Sequence, residues 1–243
     1  MPHELWITRL FNGTLAGPAN AFLNAIHFPA QDPKNPWSDW MVCEILVVLF
    51  VLIFFGALRS RLSVDRPGKI QHILEVVYEF IAAQAEEVVG HGSSKYLPFF
   101  GTIFLFILFM NLIGLVPGFD SPTMYPMVPF GMAVSVFVFY HSAGIRANRF
   151  GYIKQFMGPM LALAPLVLLI EIVSHFARPL SLTVRLFANM FAGEQVYLAF
   201  ISLTKVFIPV IFIGLHLFVS VLQAYIFMLL AMIYVGGAVS HEH

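Results

Sequence analysis

The chain has 243 residues, 59% of them hydrophobic and only 11% charged, with a mean hydropathy of +0.84. An ordinary soluble domain carries about 25% charged residues, and a soluble chain of this length cannot hide so much apolar surface and still coat itself with polar groups. Thirteen basic and thirteen acidic residues cancel, which gives nucleic acid no basic surface to bind; the lone Cys43 excludes an intrachain disulfide, a cysteine zinc cluster and a CxxC redox pair.

Taken in order, the chain reads as a single all-α polytopic membrane domain. Residues 1–40 form a mixed N-terminal segment, in which ELWITRLFNGTLAG and ANAFLNAIHF are expected to make short amphipathic turns. Glu4, Trp6 and Arg9 interrupt any signal-peptide layout, so the first span is expected to stay in the mature protein. Pro29, Pro33 and Pro36 break longer elements, and Trp37 and Trp40 stand where interfacial aromatics belong. Residues 41–58 are the first transmembrane candidate, with Glu44 near its start. After the Pro67-Gly68 turn, Ile70, Ile73, Leu74, Val77, Phe80 and Ile81 recur at helical spacing among Glu75, Glu79, Glu86 and Glu87. Residues 70–89 therefore predict an amphipathic helix lying on the membrane or against a partner, ended by Gly90 and Gly92.

Residues 97–116 are the second span, with Asn111 read as a helix-to-helix hydrogen-bonding group. A turn containing Asp120 leads to the third span, 127–143. The segment after the first span holds five basic residues (Arg59, Arg61, Arg66, Lys69, Lys95), and that after the third holds three (Arg146, Arg149, Lys154). The segments 1–40 and 117–126 hold two and none. The positive-inside rule thus places the N-terminus outside and the amphipathic helix on the cytoplasmic side.

Residues 158–203 are apolar for over 40 positions, about 60 Å of helix and roughly twice the hydrocarbon thickness. Either the segment crosses twice, turning near Arg178-Pro179, or it is one long tilted helix. Residues 207–235 form the last span. Charged and polar groups interrupt these two segments with helical spacing. Glu171, His175 and Arg178 share a face, Arg185 follows one heptad later, and Asn189 and Gly193 continue at four-residue steps, with Glu194 beside them. His216, Ser220 and Gln223 make a matching line on the last helix. An arginine deep in hydrocarbon costs about 2.5–3.5 kcal/mol on insertion scales, so it persists where something uses or solvates it. Because arginine stays protonated, the role of Arg185 is electrostatic: it attracts a carboxylate, holds it ionised and repels cations. Glutamate and histidine, by contrast, exchange protons near physiological pH when their surroundings shift them. A polar network that merely holds helices together is the plainer alternative. No metal-ligand or P-loop pattern is present, so neither a cofactor nor a nucleotide site is expected in this chain.

At these residues the chain resembles the a subunit of F-type ATP synthases. The resemblance is carried by SLTVRLFANMFAGE (Ser181 to Glu194) and LHLFVSVLQAYIFMLLAMIYV (Leu215 to Val235), with weaker support from PGKIQHILEVVYEFI, FLFILFMNLIGLVPG and IEIVSHFARPLSL. It implies five membrane-traversing helices plus the cytoplasmic-side amphipathic helix, two long tilted C-terminal helices facing a c-ring, and a cytoplasmic C-terminus. It implies a non-catalytic subunit of the bacterial inner membrane that translocates protons through two half-channels. Arg185 would be the stator arginine, flanked by Asn189 and neighboured by Gln223; Glu194 and His216 would belong to the outer access channel, and Glu171 and His175 would line further proton-access space. The implied partners are c-ring subunits, b-type peripheral stalk subunits, the F1 sector, lipid and protons. An ion channel or secondary transporter with its own intramembrane site is the alternative. The chain departs from common members at Gly114, where many bacterial relatives carry an acidic residue, and at TMYPMVPFG, which replaces a more polar segment.

Overall fold

The computed structural model describes residues 5–25, 32–63, 67–116, 118–149, 164–203 and 207–239. They form seven α-helices: α1 (Trp6–Ala25), α2 (Asp39–Arg59), α3 (Lys69–Val89), α4 (Leu97–Ile113), α5 (Met127–Asn148), α6 (Ala164–Leu203) and α7 (Phe207–Val239). Short 3-10 turns at Ser93–Tyr96 and Pro122–Met124 lead into α4 and α5. Five stretches are long and apolar enough to cross a membrane: Asp39–Arg59, Ser93–Ile113, Met127–Asn148, Pro165–Ile201 and Val210–Val239.

Local chemistry sets the helix ends. Asp39 opens α2 and Arg59 closes it, each the favourable sign for its end of the helix dipole. Pro98 sits in the first turn of α4, where its missing N–H costs nothing. Gly90 ends α3 at φ 85°, a left-handed backbone that a side chain would strain. The two long-segment alternatives are resolved in favour of one: α6 runs unbroken for 40 residues with Pro179 inside it. That length, about 60 Å at 1.5 Å per residue, requires strong tilt if the helix is to lie in a bilayer. The first residues of the expected 158–203 segment, 158–163, lie outside the described residues.

The N-terminal segment differs from the short turns expected of it. It makes one 20-residue helix that tolerates Pro18. Asn12 clasps the backbone of Trp37 from both sides, its amide nitrogen donating to the carbonyl (3.2 Å) and its oxygen accepting from the N–H (3.0 Å). The ring of Trp37 meets Phe11 edge-on. Long-range pairing of this kind has no periodic signature, so the sequence pattern does not reveal it.

The core is built by α4, α5, α6 and α7, with α3 against its edge. Phe100, Ile103 and Ile107 of α4 meet Met132, Val136 and Tyr140 of α5, Leu182, Leu186 and Met190 of α6, and Phe227, Met228 and Met232 of α7. Ile81 and Ala85 bring α3 into the same cluster. The amphipathic helix thus lays its inner face on its own bundle. Tyr225 of α7 donates to Oε1 of Gln84 at 3.0 Å. Where α7 passes α3, Gly236 has no room for a side chain, since a Cβ there would fall 2.9 Å from the Val88 carbonyl. The first span, α2, packs mainly on α4 through Val47, Met110 and their neighbours.

Candidate functional site

The polar seam follows the contact between α6 and α7 and is closed behind by α4 and α5. Arg185 lies near the middle of α6 and is half-buried. One turn further on, Asn189 donates from Nδ2 to Oε1 of the fully buried Gln223, 2.8 Å away on α7. This bond fixes the rotation of the two helices about the level of the arginine. Another turn along α6, Gly193 lies flat against the His216 imidazole: a Cβ at that position would stand 3.0 Å from Nδ1 and 3.3 Å from Cε1. The glycine is therefore what lets His216 approach α6 next to Glu194. Glu194 itself is half-buried, and among the described residues no hydrogen bond or ion pair joins its carboxylate to His216.

Along α7, His216, Ser220 and Gln223 are all buried. His216 Nε2, Ser220 Oγ and Gln223 Nε2 have no hydrogen-bond partner among the described residues. Buried polar atoms are nearly always satisfied in proteins, so three in line over about 10 Å of helix mark a path suited to water or a transferred proton. Just behind them, Asn111 of α4 donates to the Ser220 carbonyl at 3.2 Å and accepts from Thr123 Oγ1 at 2.6 Å. Ser121 Oγ lies 2.8 Å from Thr123 Oγ1 and 3.0 Å from the Met110 carbonyl. The reading of Asn111 as a helix-to-helix tie holds, and the tie extends to the turn before α5.

That turn also accounts for Gly114. A Cβ at 114 would meet Ser121 Cβ at 2.8 Å and its backbone nitrogen at 3.0 Å, so an acidic side chain has no place here. The acid nearby is Asp120, whose carboxylate accepts from the Tyr125 hydroxyl at 3.2 Å.

A second polar group occupies the other end of the seam, toward the start of α6 and the end of α7. His175 is buried, with Nδ1 2.9 Å from the Glu171 carbonyl and 3.3 Å from the Glu171 carboxylate. Arg178 reaches the same carboxylate at 3.9 Å and lies over the rings of Tyr140 (5.8 Å) and Tyr234 (5.3 Å). His141 of α5 faces His175 with ring centroids 5.2 Å apart. Of the seven residues singled out in the sequence, Asn189 and Gln223 meet directly, as do Glu171 and His175. His216 meets α6 at the residue before Glu194, and Arg185 stands between the two groups. Sequence reasoning missed Tyr140, His141 and Tyr234. The Tyr140-His141 pair in an otherwise apolar span was the available signal, but α5 carries no polar line of its own, and Tyr234 lies beyond the polar line of α7.

These features define an all-helical polytopic membrane protein whose longest helices enclose an intramembrane line of ionisable groups around an arginine. The family described as ATP synthase A chain matches residues 40–236. ATP synthase subunit a of Solibacter usitatus (strain Ellin6076) is 56% identical over 96% of this chain and 100% of that protein. Its counterpart in Koribacter versatilis (strain Ellin345) is 50% identical over the whole of both chains, and that of Aquifex aeolicus (strain VF5) is 38% identical over 83% of this chain and 97% of its own length. The chain belongs to the ATP synthase subunit a family.

Proposed function

We propose that this chain is the stationary half of a rotary proton path: it carries protons between two half-channels and a c-ring and couples that flow to ATP synthesis by the F1 sector. The observation that carries the reading is the position of Arg185. It is half-buried at mid-length of the longest helix, with separate ionisable groups on either side of it along the seam. A proton arriving from outside passes Glu194 and His216 and neutralises a carboxylate of the ring. Neutral, that group can turn to face lipid without the large penalty of desolvating a charge. After rotation the proton leaves on the other side past Glu171 and His175. The vacated carboxylate then passes Arg185, whose fixed charge keeps it ionised and closes the direct route between the half-channels. Asn189 and Gln223 hold α6 and α7 in register beside the arginine. A potential of about 100 mV contributes about 2.3 kcal/mol per proton.

In this arrangement the N-terminus lies outside the bacterial inner membrane and the C-terminus in the cytoplasm, as the basic segments 59–95 and 146–154 favour. The exposed apolar row on α6 beside Arg185, including Leu180, Val184 and Phe191, suits a ring of apolar helices. A b-type peripheral stalk holds the subunit against rotation. In complexes reconstituted into vesicles, Arg185→Ala is expected to abolish ATP-driven proton pumping while the c-ring and F1 sector still copurify. Native pumping by that variant would overturn the proposal.

A further inference from the structure

The end of the seam near Glu171 holds a group that the sequence does not announce and that the reading above leaves without a role: His141. It comes from α5, whereas Glu171, His175 and Arg178 come from α6 and Tyr234 from α7. Tyr140, its neighbour on α5, is buried and stands 5.9 Å from the His175 ring, centroid to centroid. Two helices thus bring two imidazoles to a centroid separation of 5.2 Å, and Tyr234 of α7 joins the cluster through Tyr140, 5.9 Å away ring to ring.

The contacts of His175 fix where its proton sits. A carbonyl oxygen only accepts, so Nδ1, 2.9 Å from the Glu171 carbonyl, carries the hydrogen. Nε2, on the far edge of the ring, is then the basic atom. The charges already present nearly balance, because Arg178 stands 3.9 Å from the Glu171 carboxylate and its guanidinium is held over Tyr140 and Tyr234. One added proton on the imidazole pair gives a single positive charge with Glu171 beside it. A second would place like charges about 5 Å apart next to Arg178, which low dielectric penalises severely.

We infer that His141 and His175 form a shared single-proton relay at the Glu171 end of the path, with His141 a proton-handling residue in its own right. The excess proton is held on one ring at a time. Its arrival converts a neutral imidazole to imidazolium, and its departure to water or to the Glu171 carboxylate restores the neutral ring. Glu171 and Arg178 hold the local charge, and the two tyrosine rings wall the site. The assignment rests on the proton-path reading of Arg185.

The test uses the whole ATP synthase in inverted membrane vesicles, where the Glu171 side faces the medium. ATP-driven pumping is followed as the medium pH is varied, with copurified subunits and ATP hydrolysis checked in each preparation. His141→Phe keeps an aromatic ring against Phe137 and Tyr140 but cannot take a proton; His141→Gln keeps polarity without a titrating group. Both are expected to slow pumping by about tenfold, short of the full effect of a positioned acid–base group because water shares the path. Both are also expected to shift the pH profile of pumping relative to the native complex, because one of the two titrating rings is gone. Adding His175→Gln to His141→Gln is expected to slow pumping little further, since the pair acts as a unit. A purely structural His141 would predict native pumping and a native pH profile in the phenylalanine variant, and that result overturns the relay. Arg185→Ala in parallel separates the two claims. If it is inactive while His141→Phe is native, only the relay falls; if it pumps normally, the underlying path falls and the relay with it.

Discussion

Asp120 shows how a single side chain ties the fold to pH. It lies in the turn between α4 and α5, half-buried, and burial pushes its carboxyl above the ordinary aspartate value; the negative charge of Asp39 adds to the rise, and the hydrogen bond from Tyr125 partly offsets it. Tyr125 is pushed up in turn, by burial first and then by the charge of Asp120. A raised carboxyl binds its proton more tightly in the folded chain than in the unfolded one. Stability therefore falls as pH rises from about 4, the ordinary value, through the raised one, and the whole penalty is present above that window. Asp120→Asn keeps an oxygen to accept from Tyr125 and removes the charge. It is expected to raise the thermal midpoint of the purified complex at neutral pH, with the difference from the native chain closing on acidification below pH 4. A constant difference across the titration would show that Asp120 carries no buried-charge penalty. Gly114 belongs to the same corner. A side chain at 114 would run into Ser121 Cβ and its backbone nitrogen, and the carboxylate of this corner is that of Asp120, six residues later.

Helices show what the sequence makes legible and what it hides. Runs of apolar residues with few charges identify every span, because a membrane leaves the chain no other way to satisfy its backbone. The seam on α6 was also legible: Glu171, His175, Arg178, Arg185 and Asn189 lie at helical spacing on one element. What one helix presents to another is harder to read, since it depends on packing between residues far apart in the chain. Asn189 meets Gln223 across 34 residues, and Asn111 meets the Ser220 carbonyl across 109. The same holds for α3, whose amphipathic pattern fits a lipid surface or a partner equally well. Its inner face is settled by Tyr225, which donates to Gln84 at 3.0 Å while its ring lies 5.7 Å from that of Phe80. Tyr225→Phe deletes that hydrogen bond and little else, a loss of about 1 kcal/mol. Amide hydrogen exchange across 69–89 is expected to quicken while the middle of α7 stays protected. Unchanged exchange in α3 would mean that Ile81 and Ala85 alone hold it in place.

At the scale of the molecule, the two polar groups lie at opposite ends of one interface and are built differently. Toward the Glu194 end, a glycine lets a buried histidine approach α6, and α7 carries buried polar atoms without hydrogen-bond partners among the described residues. Toward the Glu171 end, aromatic rings enclose an arginine and two imidazoles. Glu171 and Glu194 are 23 residues apart on α6, about 35 Å along the helix, and one hydrated cavity joining them would give protons a route that bypasses a ring. On the proposed path, two cavities separated at Arg185 would conduct only when a ring carboxylate carries the proton between them. The two architectures differ in which side of the membrane reaches each group. With the buried native thiol removed by Cys43→Ser, Glu171→Cys and Glu194→Cys variants can be probed in sealed vesicles of known orientation with a membrane-impermeant thiol reagent. Position 171 is expected to be labelled only from the side that carries the F1 sector, and position 194 only from the opposite side. Replacing Arg185 by alanine in either background is expected to leave the sidedness unchanged, because the role proposed for it acts on charge and not on the width of the path. Labelling of both positions from one side would replace two half-channels with a continuous pore.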